Sequence, residues 1–424
     1  MFAKKMILTT ILISFAAHAQ TPPQGKVSEK VSLQDAIQTA ILQNSRSKSN
    51  TLRLEAAAER LKAQKQSAYL PTISTGYSQD LKSSGAKQGS VSSSINLFNG
   101  FADYYGIKAN ECNYKRIEAS YKSTNSNQQN TTGQIVESVG NNYVYLVSLR
   151  QNQKMRRKTQ DRLNTILPFA KNNIQQSQIE KQISTIQISL DESISNIEIA
   201  EANYEYIVNS KAPSDTDTFN EIIDKTLIPD TAEQAYQISL TKSPEILGAK
   251  LSLECDLLSR KESRARLYGI RVDASATHTT DFNGSKKNAT QFNFNAIVPF
   301  DLSRVTNYNA GQKNIQATEL DLDDTIKKIK LELINNYKFL QSNLKSGLSY
   351  DALYQKNETE IDSKILSLGQ LTEKEIDALF SDVVTQYYAF STIENQKTTV
   401  IRLKHNIQKD IGTLFDTNQL FFSN

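Results

Sequence analysis

Proline is absent from two long stretches of this 424-residue chain. Beyond the first 30 residues it occurs only at Pro71, Pro168, Pro213, Pro229, Pro244 and Pro299. Because proline ends helices, residues 72–167 and 300–424 can form helices of unusual length. The sequence predicts two long helices, over 101–167 and 303–368, each about 100 Å long at 1.5 Å per residue.

Signatures of catalysis and of metal binding are also missing. His278 and His405 stand alone in the sequence, without the spacing of metal ligands. There is no serine-nucleophile, zinc-protease, phosphate-loop or calcium-loop motif, and the acidic run 321–324 reads as a solvated helix face. The sequence therefore predicts a protein that is not an enzyme and uses no cofactor or metal ion.

Cysteine is scarce, with Cys112 in the first half of the chain and Cys255 in the second. Two isolated cysteines do not form a disulfide scaffold. They can pair across the halves in an oxidising compartment, or remain free as buried or helix-face residues. The sequence leaves both alternatives open.

Long apolar runs are confined to the N-terminus. Residues 1–19 have the parts of a secretory signal: two lysines, an apolar run over 6–17, and Ala17-His18-Ala19 as a cleavage site. We expect cleavage after Ala19, and residues 20–30 to be a flexible start of the mature chain. Elsewhere no apolar run approaches 18 residues, so a membrane-inserted mature chain would have to use β-strands.

The charge does not indicate a nucleic-acid partner. The formal net charge of +4 falls to about +2 once Lys4 and Lys5 are removed, and the remaining basic residues are scattered.

One segment of the chain occurs twice, at an offset of 199 positions that aligns Ala36 with Ala235 and Tyr69 with Tyr268. The repeat is too long for a solenoid unit. We expect a first structural repeat over 31–210, a linker over 211–229 and a second repeat over 230–424. Each repeat would consist of a helix, a β-hairpin, a long helix and a return helix, and the return helices would span 177–210 and 372–415.

The two hairpins are predicted over 70–98 and 270–300. Four segments alternate apolar with small polar residues, namely 70–81, 91–98, 270–281 and 290–300. Strands of about ten residues with one apolar face match outer-membrane strands, although an ordinary half-buried hairpin has the same pattern. Four strands cannot close a usable barrel, whereas three chains would supply twelve.

These pieces together resemble the TolC-like outer-membrane efflux proteins over essentially all of the mature sequence. The matching pieces are Ser32 to Ile37, Leu70-Pro71-Thr72-Ile73, Leu97-Phe98-Asn99-Gly100, Val298-Pro299-Phe300-Asp301, Leu368-Gly369-x-Leu371-Thr372 and Ile411-Gly412-Thr413-Leu414. The resemblance implies a mainly helical homotrimer in the outer membrane of a Gram-negative cell. Its twelve-stranded β-barrel would stand on a long α-helical barrel that reaches into the periplasm.

The distal helix ends are the candidate functional site. Ser177-x-x-Glu180 and Thr372-x-x-Glu375 are predicted capping boxes that start the return helices. Gly369 is expected to stop the preceding helix in a left-handed conformation. The candidate gate and adaptor-docking residues are Ser177, Glu180, Leu368, Gly369, Leu371, Thr372, Glu375 and Asp377.

The chain departs from the family at this site. Of the two acidic positions that line the family's tunnel entrance, the first corresponds to Glu375 but the second to Ala378, with Asp377 one position away. The Gly-Leu docking element at the first tip is replaced by Asn172, Asn173 and Ile174.

The resemblance implies an exit duct for a tripartite efflux pump or a type I secretion system. Its partners would be a periplasmic adaptor, an inner-membrane pump or ABC exporter, and outer-membrane lipid. A periplasmic coiled-coil structural or adaptor protein with no channel is the alternative.

Overall fold

A computed structural model describes residues 30–79, 87–123, 131–282, 288–298 and 302–414. The predicted signal peptide, residues 20–29 and the motif Pro299-Phe300-Asp301 lie outside these ranges. The elements follow in the order α1 (Leu33–Gln43), α2 (Ser45–Tyr69), β1 (Thr72–Gln79), β2 (Lys87–Asn99), α3 (Ala102–Lys122), α4 (Thr132–Ile166), α5 (Asn173–Val208), α6 (Phe219–Lys225), α7 (Ala232–Lys242), α8 (Pro244–Tyr268), β3 (Arg271–Asp281), β4 (Ala289–Ile297), α9 (Leu302–Leu366) and α10 (Glu373–Asp410). The prediction of a mainly helical chain with a small sheet is confirmed.

The sequence predicts one helix over 101–167, but the structure contains two, α3 and α4. Helix α3 ends before Ser123, whose backbone is extended, and α4 begins after Thr131 in a capping box with Gln134. The Thr131 hydroxyl also donates to the carbonyl of Ser123 (2.6 Å). Serine, asparagine and threonine dominate 123–131, and such side chains compete with helical backbone bonds. The corresponding stretch of the second half is one unbroken helix of 65 residues, α9.

The four strands form one antiparallel sheet in the order β1-β2-β3-β4. The two predicted hairpins are therefore joined through a ladder between β2 and β3. The register collects apolar side chains on one face, where Ile95 pairs with Ala274 and Ala274 pairs with Phe294. The other face is small and polar, with Ser74 opposite Ser92 and their hydroxyls 2.6 Å apart.

The helices form two side-by-side layers that follow one another along the molecule, the first directly after the sheet and the second farther from it. Next to the sheet the order is α2, α3, α8, α9, and farther away it is α5, α4, α10, α9. Between the layers lies a waist where α1, α6 and α7 pack against the long helices. A buried tyrosine closes the waist in each half: the Tyr143 hydroxyl donates to the Val31 carbonyl, and the Tyr337 hydroxyl donates to the Pro229 carbonyl, both at 2.6 Å. Within the described ranges, no helix is both long and apolar enough to cross a membrane.

A disulfide between Cys112 and Cys255 joins α3 to α8, with 5.4 Å between the Cα atoms. Of the two alternatives that the sequence left open, the structure contains the paired one. Both cysteines are buried, and their helices lead directly out of β2 and into β3. The bond therefore connects the two halves of the chain just below the ladder that joins their hairpins.

We expect Cys112→Ser together with Cys255→Ser to lower the free energy of unfolding by about 2–4 kcal/mol, because the bond closes a long loop in the unfolded chain. Thermal or denaturant unfolding with and without reductant measures the change. The serine variant should be insensitive to reductant. An equal response of both proteins to reductant, or no response of either, would contradict this role.

Candidate functional site at the distal helix tips

The chain reverses direction twice at the end farthest from the sheet. A 3₁₀ turn over Leu167–Phe169, with Pro168 in it, leads from α4 towards α5. A second 3₁₀ turn over Leu368–Gln370 leads from α9 towards α10. These two turns and the adjoining helix ends form the tip, which contains all the residues predicted for the gate and adaptor site.

One apolar cluster holds the tip together. Its buried members come from all four helices and from the second 3₁₀ turn, namely Leu163, Ile166, Ile179, Ile186, Leu190, Ile361, Leu368, Ile376, Leu379 and Val383. Leu371 packs against this cluster while partly exposed. Of the candidate residues, Leu368 and Leu371 thus stabilise the tip by packing, whereas the others are exposed to solvent.

Glu375 caps helix α10. Its carboxylate accepts hydrogen bonds from the backbone N–H and from the hydroxyl of Thr372, each at 2.7 Å. These bonds favour the ionised form and lower the pKa of Glu375. The capping role predicted for Thr372 and Glu375 is present in the structure, and it occupies one oxygen of the carboxylate.

Two details predicted for the tip are wrong. Helix α5 does not begin with a box at Ser177 and Glu180, because Asn172 already caps it by accepting from the N–H of Gln175 (2.8 Å). Ser177 and Glu180 lie exposed in its first turns, where Glu180 accepts from Gln176 (2.9 Å). Gly369 is not left-handed, because it lies within the 3₁₀ turn, whose short-range bonds satisfy the carbonyls at the end of α9.

Side chains from α5 bridge the two reversals of the tip. Gln175, which is only 3% exposed, donates to the Asp377 carboxylate (2.7 Å) and to the Glu373 carbonyl (3.2 Å). The Asn172 side chain donates to the Glu373 carboxylate. Asp377 therefore accepts a hydrogen bond that links the two chain reversals of the tip. The role of Gln175 could not be predicted from the sequence, because its partners lie about 200 positions away and glutamines are common on helix faces.

A second bridge lies farther from the turns, about two and a half helical turns along α10 from the first. The Arg162 side chain of α4, 6% exposed, donates to Gln386 of α10 (2.5 Å) and to the Asp362 carboxylate of α9. Lys158 forms an ion pair with Glu358 beside it. Since breaking a buried hydrogen bond of a charged group leaves that group unpaired, these contacts favour the observed arrangement of α4, α9 and α10.

Three groups with strongly shifted pKa values lie farther up α10 and not at the tip. Burial raises the pKa of Glu394 to about 8, with Asp351 adding to the rise and Lys397 opposing it. Burial also raises the pKa of Asp410 to about 7 and lowers the pKa of His405 to about 4. Among the described residues, no cluster of His, Cys, Asp or Glu is arranged to hold a metal ion.

Solved structures of outer-membrane channels share this fold, although no protein-family model and no curated protein matches the chain. A structure of CusC, described in terms of transmembrane channel formation, superposes with a TM-score of 0.73 at 14% identity over 90% of this chain and 92% of that one. The outer-membrane channel OprN gives 0.70 at 12% identity, covering 90% of each chain. The outer-membrane protein VceC of Vibrio cholerae gives 0.68 at 13% identity, over 90% and 96%. The predicted resemblance to TolC-like channels is thus confirmed at the level of the fold.

We expect Glu394 to make the protein less stable as the pH rises from about 4.5 towards 8, because this side chain must ionise in the unfolded chain but stays protonated in the folded one. Asp410 acts in the same sense and His405 in the opposite sense. Glu394→Gln should remove the contribution of Glu394 and raise the free energy of unfolding at pH 8 by roughly 1–4 kcal/mol. Thermal unfolding across this range tests it, with Glu254→Gln, an exposed carboxylate on α8, as the control. Equal pH dependence in all three proteins would contradict the prediction.

Proposed function

We propose that this protein is a trimeric outer-membrane channel-tunnel that serves as the exit duct of a tripartite efflux pump or a type I secretion system. The observation that carries the proposal is the amphipathic four-stranded sheet, open at both edges, at one end of helices up to 65 residues long. The likeness to outer-membrane channels supports the same reading.

The edges of the sheet support assembly with further copies. Within the described chain, β1 pairs only with β2 and β4 only with β3, so each edge strand leaves a row of backbone groups unpaired. An antiparallel sheet with an even number of strands can pair β4 of one copy with β1 of the next in the same antiparallel sense. Three copies would close a barrel of twelve strands.

The apolar face of the sheet supports contact with lipid. It includes Phe292 and Phe294, which are 72% and 80% exposed, and Ile73 and Val91, which are also exposed. A face with this many exposed apolar side chains, interrupted by Ser93, His278 and Thr290, is unfavourable in water but matches the outward face of a membrane barrel. The serine, threonine and asparagine side chains of the opposite face would line the duct.

The tip supports the role of a movable entrance. It ends the molecule opposite the sheet, and its two reversals are held by a few side-chain hydrogen bonds in addition to one apolar cluster. An adaptor that competes for these bonds can shift the tip more easily than the packed layers above it. In this proposal Glu375 of three copies faces the entrance and contributes a single acidic ring.

We expect Phe294→Arg to abolish or greatly reduce the trimer, because arginine facing lipid in mid-strand costs about 2–4 kcal/mol in each copy. Asn293→Arg, on the polar face of the same strand, is the matched control and should assemble. Electrophoresis of outer-membrane extracts, heated and unheated, separates trimer from monomer. A soluble monomeric wild-type protein would instead support the periplasmic coiled-coil alternative.

We expect Gln175→Met to raise the open fraction of the channel severalfold, because it removes two bonds between the tips while keeping the side-chain volume. Single-channel recording of the purified protein in a bilayer measures this. Asp377→Asn keeps the acceptor oxygen and is the matched control.

In the same recordings Glu375→Gln should weaken block by magnesium ions. Identical conductance and block in all variants would show that these residues only build the helix ends.

A further inference from the structure

The two helices that lead into the hairpins carry the same short pattern at the same height. Three residues of α2 lie 10, 7 and 3 positions before β1, namely Lys62, Lys65 and Tyr69. The residues of α8 at the same three distances before β3 are Lys261, Arg264 and Tyr268. At 1.5 Å per residue, these positions lie about 15, 10 and 5 Å from the sheet. We call these two sets of three residues the basic stripes.

Each basic stripe occupies one exposed side of its helix. The intervals of 3 and 4 positions place its three side chains on the same side. All six side chains are exposed to solvent. On α2, Lys65 forms an ion pair with Glu111 of α3 (2.7 Å), and Lys62 lies 3.8 Å from Glu59. Lys261 and Arg264 form no ion pair within the described residues, so both cations of the stripe on α8 are open to a partner.

Positive charge is concentrated around the two stripes. Residues 60–69 contain three Lys and Arg residues and no acid. Residues 260–268 contain four Lys and Arg residues and one acid, Glu262, which is paired with Arg266 (2.7 Å). The whole chain has a formal net charge of only +4. The region directly next to the sheet is therefore far more basic than the rest of the molecule.

The stripe on α8 lies on the side of the helix that carries α7. The flanks of α8 are occupied, because Cys255 is bonded to α3 and Arg260 donates to the Tyr308 hydroxyl of α9 (3.0 Å). At the waist, buried Ile246 of α8 packs in one cluster with residues of α7. Close to three, four, five and six whole turns beyond Ile246 lie Leu257, Lys261, Arg264 and Tyr268. The stripe thus continues the side of α8 on which α7 packs.

That side faces outward in the proposed ring. Helices α1, α6 and α7 pack onto the long helices as an additional layer at the waist. A closed ring of helices has room for an additional layer around its outer circumference rather than inside it. The apolar face of the sheet, which includes Phe294, also faces outward in the proposed barrel. Each basic stripe would therefore lie directly below a surface that contacts lipid.

This position suits the headgroup layer of a membrane. A polar layer several Å thick follows the hydrocarbon on each side of a bilayer, and tyrosine is enriched at that boundary. Tyr69 and Tyr268, 63% and 72% exposed, lie at that level. Lysine and arginine farther from the sheet can extend their long side chains towards the headgroups. Each basic residue close to an anionic leaflet strengthens binding about fivefold.

We infer that the basic stripes of α2 and α8 bind the phosphate groups of anionic phospholipids in the leaflet on the helix side of the sheet. This inference rests on the proposed function and adds the headgroup class of the lipid. In a ring of three chains, the stripes would form a collar of six. The collar would hold the barrel at a fixed depth, since the apolar sheet lies on one side of the headgroups and the charged helices on the other.

The test is lipid retention by the full-length protein purified in detergent. Native mass spectrometry measures the ratio of bound phosphatidylglycerol to bound phosphatidylethanolamine after incubation with equal amounts of both. We expect the unmodified protein to retain mainly phosphatidylglycerol. Lys261→Gln with Arg264→Gln should lower the ratio at least about twofold, and adding Lys62→Gln with Lys65→Gln should lower it about tenfold or more. Raising the salt concentration should lower the ratio for the unmodified protein.

Lys48→Gln with Arg53→Gln is the matched control, because it also removes two exposed cations from α2 but about 29–36 Å from the sheet. It should leave the ratio unchanged. Circular dichroism and unheated electrophoresis check that every variant is folded and assembled. A second arm adds excess inorganic phosphate, which should not displace the lipid because the free anion lacks the chains that seat it beside the sheet.

Several outcomes would overturn the lipid site alone. These are a ratio near one for the unmodified protein, a ratio that salt does not change, an equal loss in the control variant, or full displacement of the lipid by inorganic phosphate. An unmodified protein that is a soluble monomer without detergent would overturn the proposed function as well.

Discussion

The ladder between β2 and β3 is the contact on which the rest of the architecture depends. It fuses two hairpins from distant parts of the chain into a single sheet and brings α3 and α8 side by side, where the disulfide joins them. It also leaves β1 and β4 as open edges on opposite sides. A chain built in this way leaves the edges of β1 and β4 unpaired, which supports the proposed pairing with further copies.

The sequence predicts the parts of this fold that depend on local rules. The absence of proline correctly indicates the length of α9, and strict alternation locates all four strands within a few residues. The same rule fails for 101–167, because a proline-free segment can still end a helix when serine and asparagine side chains compete for its backbone. The ladder itself could not be predicted, because β2 and β3 are about 170 positions apart and nothing in either strand specifies the other.

The candidate site shows the same division between local and distant interactions. The cap formed by Thr372 and Glu375 depends on only four consecutive positions, and the structure contains it. The capping box predicted at Ser177 is absent, because Asn172 caps the same helix at an earlier position. The bridges made by Gln175 and Arg162 join residues about 200 positions apart. These bridges depend on how one half of the chain packs against the other. The periodicity within a single helix does not predict that packing.

The distribution of contacts along the molecule explains how one end can be fixed while the other responds to a partner. Near the sheet, backbone ladders and a covalent bond hold the two halves together, and neither depends on the position of a particular polar side chain. At the tip, the halves meet through one apolar cluster and through side-chain contacts of Gln175, Asn172, Arg162 and Lys158. Each side-chain hydrogen bond contributes only about 0.5–3 kcal/mol, which a docking protein can replace with bonds of its own. In the proposed ring of three chains, the tip would therefore open more easily than the sheet.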